Sequence, residues 1–365
     1  MMQILKKQVQ HTLHRAIEYV KKIAKHPFFP ILVLGVFLIL LQIIGSTGVI
    51  RPSLLNFISP VLIRFMVALG FMLLLGYAGL ASLGTAGFMG LGSYLLGYLY
   101  QTVGMPAEVA FLVGIATALV LGILVGFISL RVEGMYLAIV TLGLGEILKN
   151  FFLNSPLTGG SNGMRLFDGI KMLGLFSKTS TVYNPIYYII VVLMILSMVW
   201  ILNIINSPTG RAMLSIKNST SAAQAMGISI MKYRLSAFLI ATLFAVTAGM
   251  LQMIRTTTSY PNSWGIDLSL NVLAAVVIGG TKNIWGVLIG TFIVFGLKDI
   301  VLSRIPFFQT YNNAHLMFSG ILIILVVMFY PGGVVRLFSD LLSFFKKISA
   351  KLNQSWKEYR YGKDL

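Results

Sequence analysis

The order of apolar and polar positions gives the first reading of this chain. Long apolar runs recur at about 28–46, 54–75, 79–100, 108–130, 133–153, 184–205, 234–254, 268–280, 284–303 and 314–330. Many reach the roughly 20 residues that cross a hydrocarbon core of about 30 Å. Backbone N–H and C=O groups in lipid must be satisfied within the chain, so the runs predict helices. A membrane β-barrel would show short segments of alternating polarity, and these runs do not alternate. The expected fold is all-α: a polytopic membrane helix bundle of about ten segments (eight to eleven), including broken or re-entrant helices.

The polar segments between the runs predict an orientation. With the amino terminus inside, six crossings return the chain to the inside at Asn206, where a basic loop begins. The carboxy-terminal tail is basic too, so an even number of elements must follow. Splitting 268–303 at Gly279–Asn283 (G-G-T-K-N) into two short elements, either two spans or one re-entrant hairpin, meets that condition. The same parity puts the polar loop Asn154–Tyr183 outside. Its L-T-G-G-S-N-G-M stretch favours tight turns with positive φ. Long connections of this kind are uncommon without a role, so it reads as a docking or gating loop or, more plainly, as a connector.

Composition narrows the class. Apolar residues make up 57% of the 365, charged residues 10%, and the mean hydropathy is +0.88, against about 25% charged in ordinary soluble domains. The net charge of +18 would suggest nucleic acid in a soluble protein, but 17 of the 28 basic residues fall in three segments. These are the amino-terminal 1–27, the loop 206–233 with Arg234 at its edge, and the tail 331–365, flanking an apolar, membrane-spanning body at 28–330. Basic residues kept on the cytoplasmic side of membrane spans account for this pattern, and the long basic ends can also lie on anionic headgroups. No partner nucleic acid is expected. No cleavable signal peptide is evident, since the run from Phe28 lacks a small-residue cleavage site. The absence of cysteine excludes disulfides and thiolate metal sites and says little about compartment.

Chemistry-bearing motifs are sparse. No G-x-x-x-x-G-K-[ST] phosphate loop occurs, so this chain is not expected to hydrolyse nucleotide by that route. His11, His14, His26 and His315 are scattered, no G-x-S-x-G elbow appears, and neither a catalytic set nor a metal site is expected. Glu146 and Lys149 are spaced to pair at i, i+3, and Arg131 and Glu133 sit at the start of the fifth run. No acidic residue is placed deep in the bundle, which weakens an ion-coupled carrier; backbone carbonyls can still bind sodium. Gly76–Gly97 carries seven glycines in 22 residues. Close helix packing explains such a pattern; the functional alternative is a discontinuous helix lining a translocation path.

The most distinctive segment is Asn206–Tyr233, 28 residues without an acidic side chain, bearing Arg211, Lys217 and S-A-A-Q-A-M-G at Ser221–Gly227. A basic, small-residue helix in the longest cytoplasmic loop offers a surface to a soluble partner.

Several motifs occur together and in order. They are G-Y-A-G-L-A-S-L-G-T-A-G-F-M-G-L-G-S-Y from Gly76, R-V-E-G-M-Y-L-A-I-V-T-L-G-L-G-E-I-L from Arg131, and L-T-G-G-S-N-G-M from Leu157. G-R-A-M-L-S-I-K from Gly210, A-A-Q-A-M-G-I from Ala222 and V-V-I-G-G-T-K-N-I-W-G from Val276 complete the set. Over about Phe65–Gly333 the chain resembles LivM-type permease subunits of ABC importers for branched-chain amino acids. The resemblance implies a multi-pass protein of the bacterial cell membrane with both termini cytoplasmic. It also implies a second permease subunit, two cytoplasmic ATPases carrying ATP and Mg, and an extracytoplasmic solute-binding protein; no cofactor is expected on this chain. Ser221, Ala222, Ala223 and Gly227 then align with the coupling element that docks into the ATPase, with Arg211 and Lys217 at its rim. Ser221 replaces the usual glutamate; it suits a helix N-cap and supplies no fixed charge. Thr85 stands where a histidine is common, which bears on the substrate. Ser82, Thr85 and Tyr94 are the expected pathway residues. Thr158, Gly159, Gly160, Ser161 and Asn162 are expected to meet the binding protein. Import of urea, an amide or a nucleoside-like solute is the alternative within the class, and an ion-coupled secondary transporter the alternative outside it.

Overall fold

Eleven α-helices are built from the described residues of the computed structural model, which are 28–46, 52–129, 135–177, 185–296 and isolated positions between 320 and 334. The end segments 1–27 and 335–365, together with Arg131 and Glu133, lie outside them. The helices are α1 (Phe29–Ser46), α2 (Pro52–Met72), α3 (Thr85–Gln101), α4 (Ala107–Ser129), α5 (Met135–Asn154) and α6 (Ile186–Asn206). They continue with α7 (Pro208–Asn218), α8 (Thr220–Ala225), α9 (Ile230–Thr256), α10 (Ile266–Gly279) and α11 (Ile284–Thr291). Only short strands accompany them among the described residues: β1 (Met164–Arg165), β2 (Ile170–Met172), β3 (Leu175–Ser177) and β4 (Thr258–Ser259).

Six of the described helical segments are long and apolar enough to cross a membrane: Phe57–Tyr77, Ala107–Ile128, Tyr136–Asn154, Ile186–Asn206, Ile230–Thr256 and Pro261–Gly279. Phe29–Gly45 and Ile284–Gly296 are shorter apolar helices. The count of about ten spans is thus not matched by length and composition alone, and the run expected at 314–330 falls largely outside the described residues. Exposed apolar side chains such as Leu32, Phe37, Leu112, Val120 and Ile128 cover the outer faces of α1 and α4. That coat suits lipid and not water, and it makes the protein a membrane-embedded helix bundle.

Helix α9 is the centre of the bundle. It packs on α2, α3 and α4, and its Ala237, Ala245, Ala248 and Gly249 are buried. The glycines of α3 explain the closeness. A Cβ on Gly92 would collide with the Val246 carbonyl, and one on Gly249 with the Met89 carbonyl. Small residues let the two backbones meet, as packing without a hydrophobic driving force requires. Helices α10 and α11 are the two short elements expected on either side of Gly279–Asn283 and pack against each other; the Asn283 side chain accepts from the amides of Trp285 (3.0 Å) and Gly286 (3.3 Å).

One end of the bundle, here the near end, carries α7 and α8. Ser207 caps α7 with Pro208 at its first position, and Ala212, Met213 and Ile216 bury one face. Helix α8 corrects the expected cap. Ser219, in extended backbone, accepts from Ala222 N at 3.3 Å, so Ser221 lies inside the helix and points out, exposed. The far end carries the 155–177 loop. It is ordered by two 3₁₀ turns and by antiparallel pairing of β1 with β4, Met164 opposite Ser259.

Candidate functional site

The glycine-rich segment is both packed and broken. Helix α2 widens into a π turn at Leu73–Tyr77, a distortion frequent at functional sites, and the chain stays non-helical until Thr85. Gly79, at φ 71°, takes the left-handed conformation that turns the chain there. The interruption leaves backbone groups to be satisfied by side chains. Thr141 Oγ1 accepts from Leu83 N at 3.0 Å, and Ser269 Oγ accepts from Ala86 N at 2.9 Å. Ser82 and Thr85 come together at this break, the Thr85 hydroxyl donating to Ser82 O at 3.4 Å. Both line a cavity of about 10 Å³ together with Phe71, Phe88 and Phe238, the space of about one water. Tyr94 does not join them. Its ring lies 4.7 Å from that of Phe152 and its hydroxyl donates to Ser259 O at 3.1 Å, which braces the far end.

At the near end the basic loop reaches into that break. Lys217 Nζ donates to Leu75 O at 3.1 Å and Gly76 O at 2.9 Å, the carbonyls that the widened turn releases. Burial of the ammonium, and then the charge of Lys282, lower its pKa from the ordinary lysine value. Lys217, exposed as a residue, therefore also pins α7 to the end of α2. Arg211 is exposed and donates to Asn206 O at 3.1 Å. In α8 the two alanines differ: Ala223 is 3% exposed, whereas Ala222 is open to solvent beside Ser221 and the 82% exposed Met226. Gly227, at φ 76°, turns the chain toward α9. Sequence reasoning passed over Met226; its signal was an apolar side chain after the last turn of a polar helix.

At the far end Thr158 faces inward, its hydroxyl donating to Phe152 O (2.7 Å) and Ser155 O (2.9 Å). Gly159 and Gly160 take positive φ of 78° and 58°, and Ser161 and Asn162 face outward. Of the five residues expected to meet a binding protein, Gly159, Ser161 and Asn162 are exposed, Gly160 is half-buried and Thr158 is buried.

A second cavity, of about 210 Å³, lies under β4, between α2, α3, α9 and the start of α10. Gln252, Ser263 and Arg64 contribute polar lining; Met89, Trp264 and Leu268 contribute apolar lining. Arg64 belongs to the apolar span Phe57–Tyr77, and its guanidinium carbon stands 4.8 Å from the centroid of Phe295. Sequence reasoning did not single it out, although an ionisable residue inside a span is costly and marks a functional site.

A membrane bundle with a broken helix, a polar cavity and a side-chain pin to a basic surface loop has the parts a membrane permease needs. Residues 53–327 match the family described as "Branched-chain amino acid transport system / permease component", and the chain belongs to that family. It is 30% identical over 295 residues to the high-affinity branched-chain amino acid transport system permease protein LivM of Escherichia coli (strain K12), covering 75% of this chain and 68% of that one. It is 25% identical over 269 residues to the probable branched-chain amino acid transport permease protein LivM of Methanocaldococcus jannaschii, covering 67% and 76%. The galactose/methyl galactoside import permease protein MglC of Haemophilus influenzae is 24% identical over 309 residues, covering 75% and 88%. No solved structure matches the chain. The protein is accordingly a permease subunit of an ABC transporter.

Proposed function

We propose that this chain moves a branched-chain or other hydrophobic amino acid into the cell, powered by ATP and Mg on two separate cytoplasmic ATPases. A second permease subunit completes the pathway, and an extracytoplasmic binding protein delivers the solute to the far end. Both termini and α7–α8 lie in the cytoplasm, with Ser221, Ala222 and Met226 as the docking face. The observation that carries this reading is the Lys217 pin. It ties the loop that would meet the ATPase to the carbonyls at the break in α2, beside Ser82 and Thr85. A movement imposed on α7 therefore has a direct path to the interrupted helix. Similarity to LivM permeases supports the amino-acid substrate.

A second reading, import of a sugar, is favoured by the similarity to MglC along most of both chains. One experiment separates them. The chain is reconstituted with its partner subunits in proteoliposomes, and uptake of labelled L-leucine is compared with that of galactose at fixed ATP. Leucine uptake that requires ATP and the ATPases is expected. Galactose uptake alone selects the second reading, and uptake by the isolated chain on an ion gradient overturns the ABC mechanism.

A further inference from the structure

The cavity under β4 has an uneven chemistry. Arg64 sets a permanent positive charge in one wall; Met89, Trp264 and Leu268 give apolar surface, and no acidic residue lines it. The Phe295 ring, 4.8 Å from the guanidinium carbon, supports one face of the group through a cation–π contact. Arg64 makes a further interaction in the fold. A guanidinium carries five N–H donors in a planar fork, enough to serve such neighbours and a ligand oxygen together. Several other polar groups of the wall are committed internally: the Thr256 hydroxyl donates to Gln252 O and Thr258 O, and Trp264 Nε1 donates to Ser259 Oγ. Gln252 and Ser263 add acceptor oxygens, which suit an ammonium.

We propose that this cavity is a ligand site in which Arg64 takes the carboxylate of a hydrophobic amino acid and Met89, Trp264 and Leu268 take its side chain. The assignment rests on the amino-acid reading above and adds to it a residue and a chemical criterion. A neutral sugar has no group that requires a guanidinium within an apolar span, whereas a carboxylate matches the fork in a bidentate manner. The cavity adjoins the β1–β4 pair at the far end, where a delivered solute would first meet the bundle. The cavity at Ser82 and Thr85, of about 10 Å³, lies deeper along α2 and α9 and is closed to such a solute.

The test uses the complete complex in nanodiscs with the binding protein omitted, and measures equilibrium retention of labelled L-leucine. Competitors are 4-methylpentanoate, which keeps the carboxylate, and L-leucinamide, which lacks it. Wild-type complex is expected to retain leucine, with 4-methylpentanoate competing and leucinamide failing. Arg64→Gln should weaken retention about tenfold to hundredfold, the usual effect of losing a charge-assisted hydrogen bond. Arg64→Lys, which keeps the charge and loses the fork, should fall between. Leucinamide competing as well as 4-methylpentanoate overturns the proposal on wild-type protein alone, whatever becomes of the variants' folding. Unchanged retention in Arg64→Gln, or no retention by a complex that imports leucine, overturns it while leaving the amino-acid function intact. Failure of the complete complex to import leucine overturns the functional reading itself.

Discussion

Replacing Lys217 by methionine keeps the length and apolar stem of the side chain and removes its charge and donors. Two hydrogen bonds disappear, those of 3.1 and 2.9 Å to Leu75 O and Gly76 O. A hydrogen bond to a charged group contributes about 1.5–3 kcal/mol when well sequestered. Lys217 is exposed as a residue, and water can partly replace its donors, so the pair is reduced to about 1–2 kcal/mol. If the pin carries motion from the docking loop to the break, that loss acts on the coupled step and lowers ATP-driven uptake about 5- to 30-fold. The assay is leucine uptake and substrate-stimulated ATP hydrolysis in proteoliposomes, with co-purification of the ATPases as the control for docking. The expected result is intact assembly, continuing hydrolysis and depressed uptake, with partial recovery in Lys217→Arg. Uptake within about twofold of wild type in an intact complex would refute the reasoning and reduce Lys217 to a surface contact.

Other substitutions test neighbouring steps. Ala222→Trp adds bulk on an exposed face and should block ATPase association without lowering the permease's melting temperature, whereas Ala223→Trp, at a buried position, should lower the melting temperature itself; identical behaviour of the two would remove the docking assignment. Gly249→Val forces a side chain into the Met89 carbonyl and should cost about 1–3 kcal/mol as overpacking, read as a fall in melting temperature in detergent. Gly143→Ala, which meets nothing within 4 Å, should leave that temperature unchanged or higher. Thr85→Val removes the hydroxyl at the break and should alter the relative uptake of leucine, isoleucine and valine; an unchanged profile would assign Thr85 to packing.

Features that depend on local composition were legible in the sequence. The run placed at 184–205 is α6, Ile186–Asn206; the split into two short helices was found from G-G-T-K-N, and Glu146 and Lys149 pair at 3.8 Å as their spacing required. Features that depend on where hydrogen bonds stop were not. Ala78–Gly84 is as small and apolar as the helix that follows, so 79–100 read as one segment although α3 begins at Thr85. The cap of α8 was misplaced because Ser219, Thr220 and Ser221 are all capping types, and only the extended backbone of Ser219 decides among them. Lys217 looked like a surface charge because its acceptors lie more than 140 residues earlier in the chain. Arg64 was hidden by averaging, since one cation barely changes the hydropathy of a 21-residue span.

Helix α9 begins just after α8 and ends at Thr256, one residue before β4. Its 27 residues, at about 1.5 Å rise each, form a rod of about 40 Å. Because β4 is paired to β1, the far-end loop is fastened to the tip of that rod. A lever of this length turns a tilt of roughly 5° at its base into a displacement of about 3.5 Å at its tip. Such a displacement carries β4 and the β1 loop together, so the roof of the Arg64 cavity and the outward-facing Ser161 and Asn162 would shift as one body. Under the proposed function, a binding protein at that loop and the ATPases at α7 and α8 would act on opposite ends of one shaft, each felt by the other.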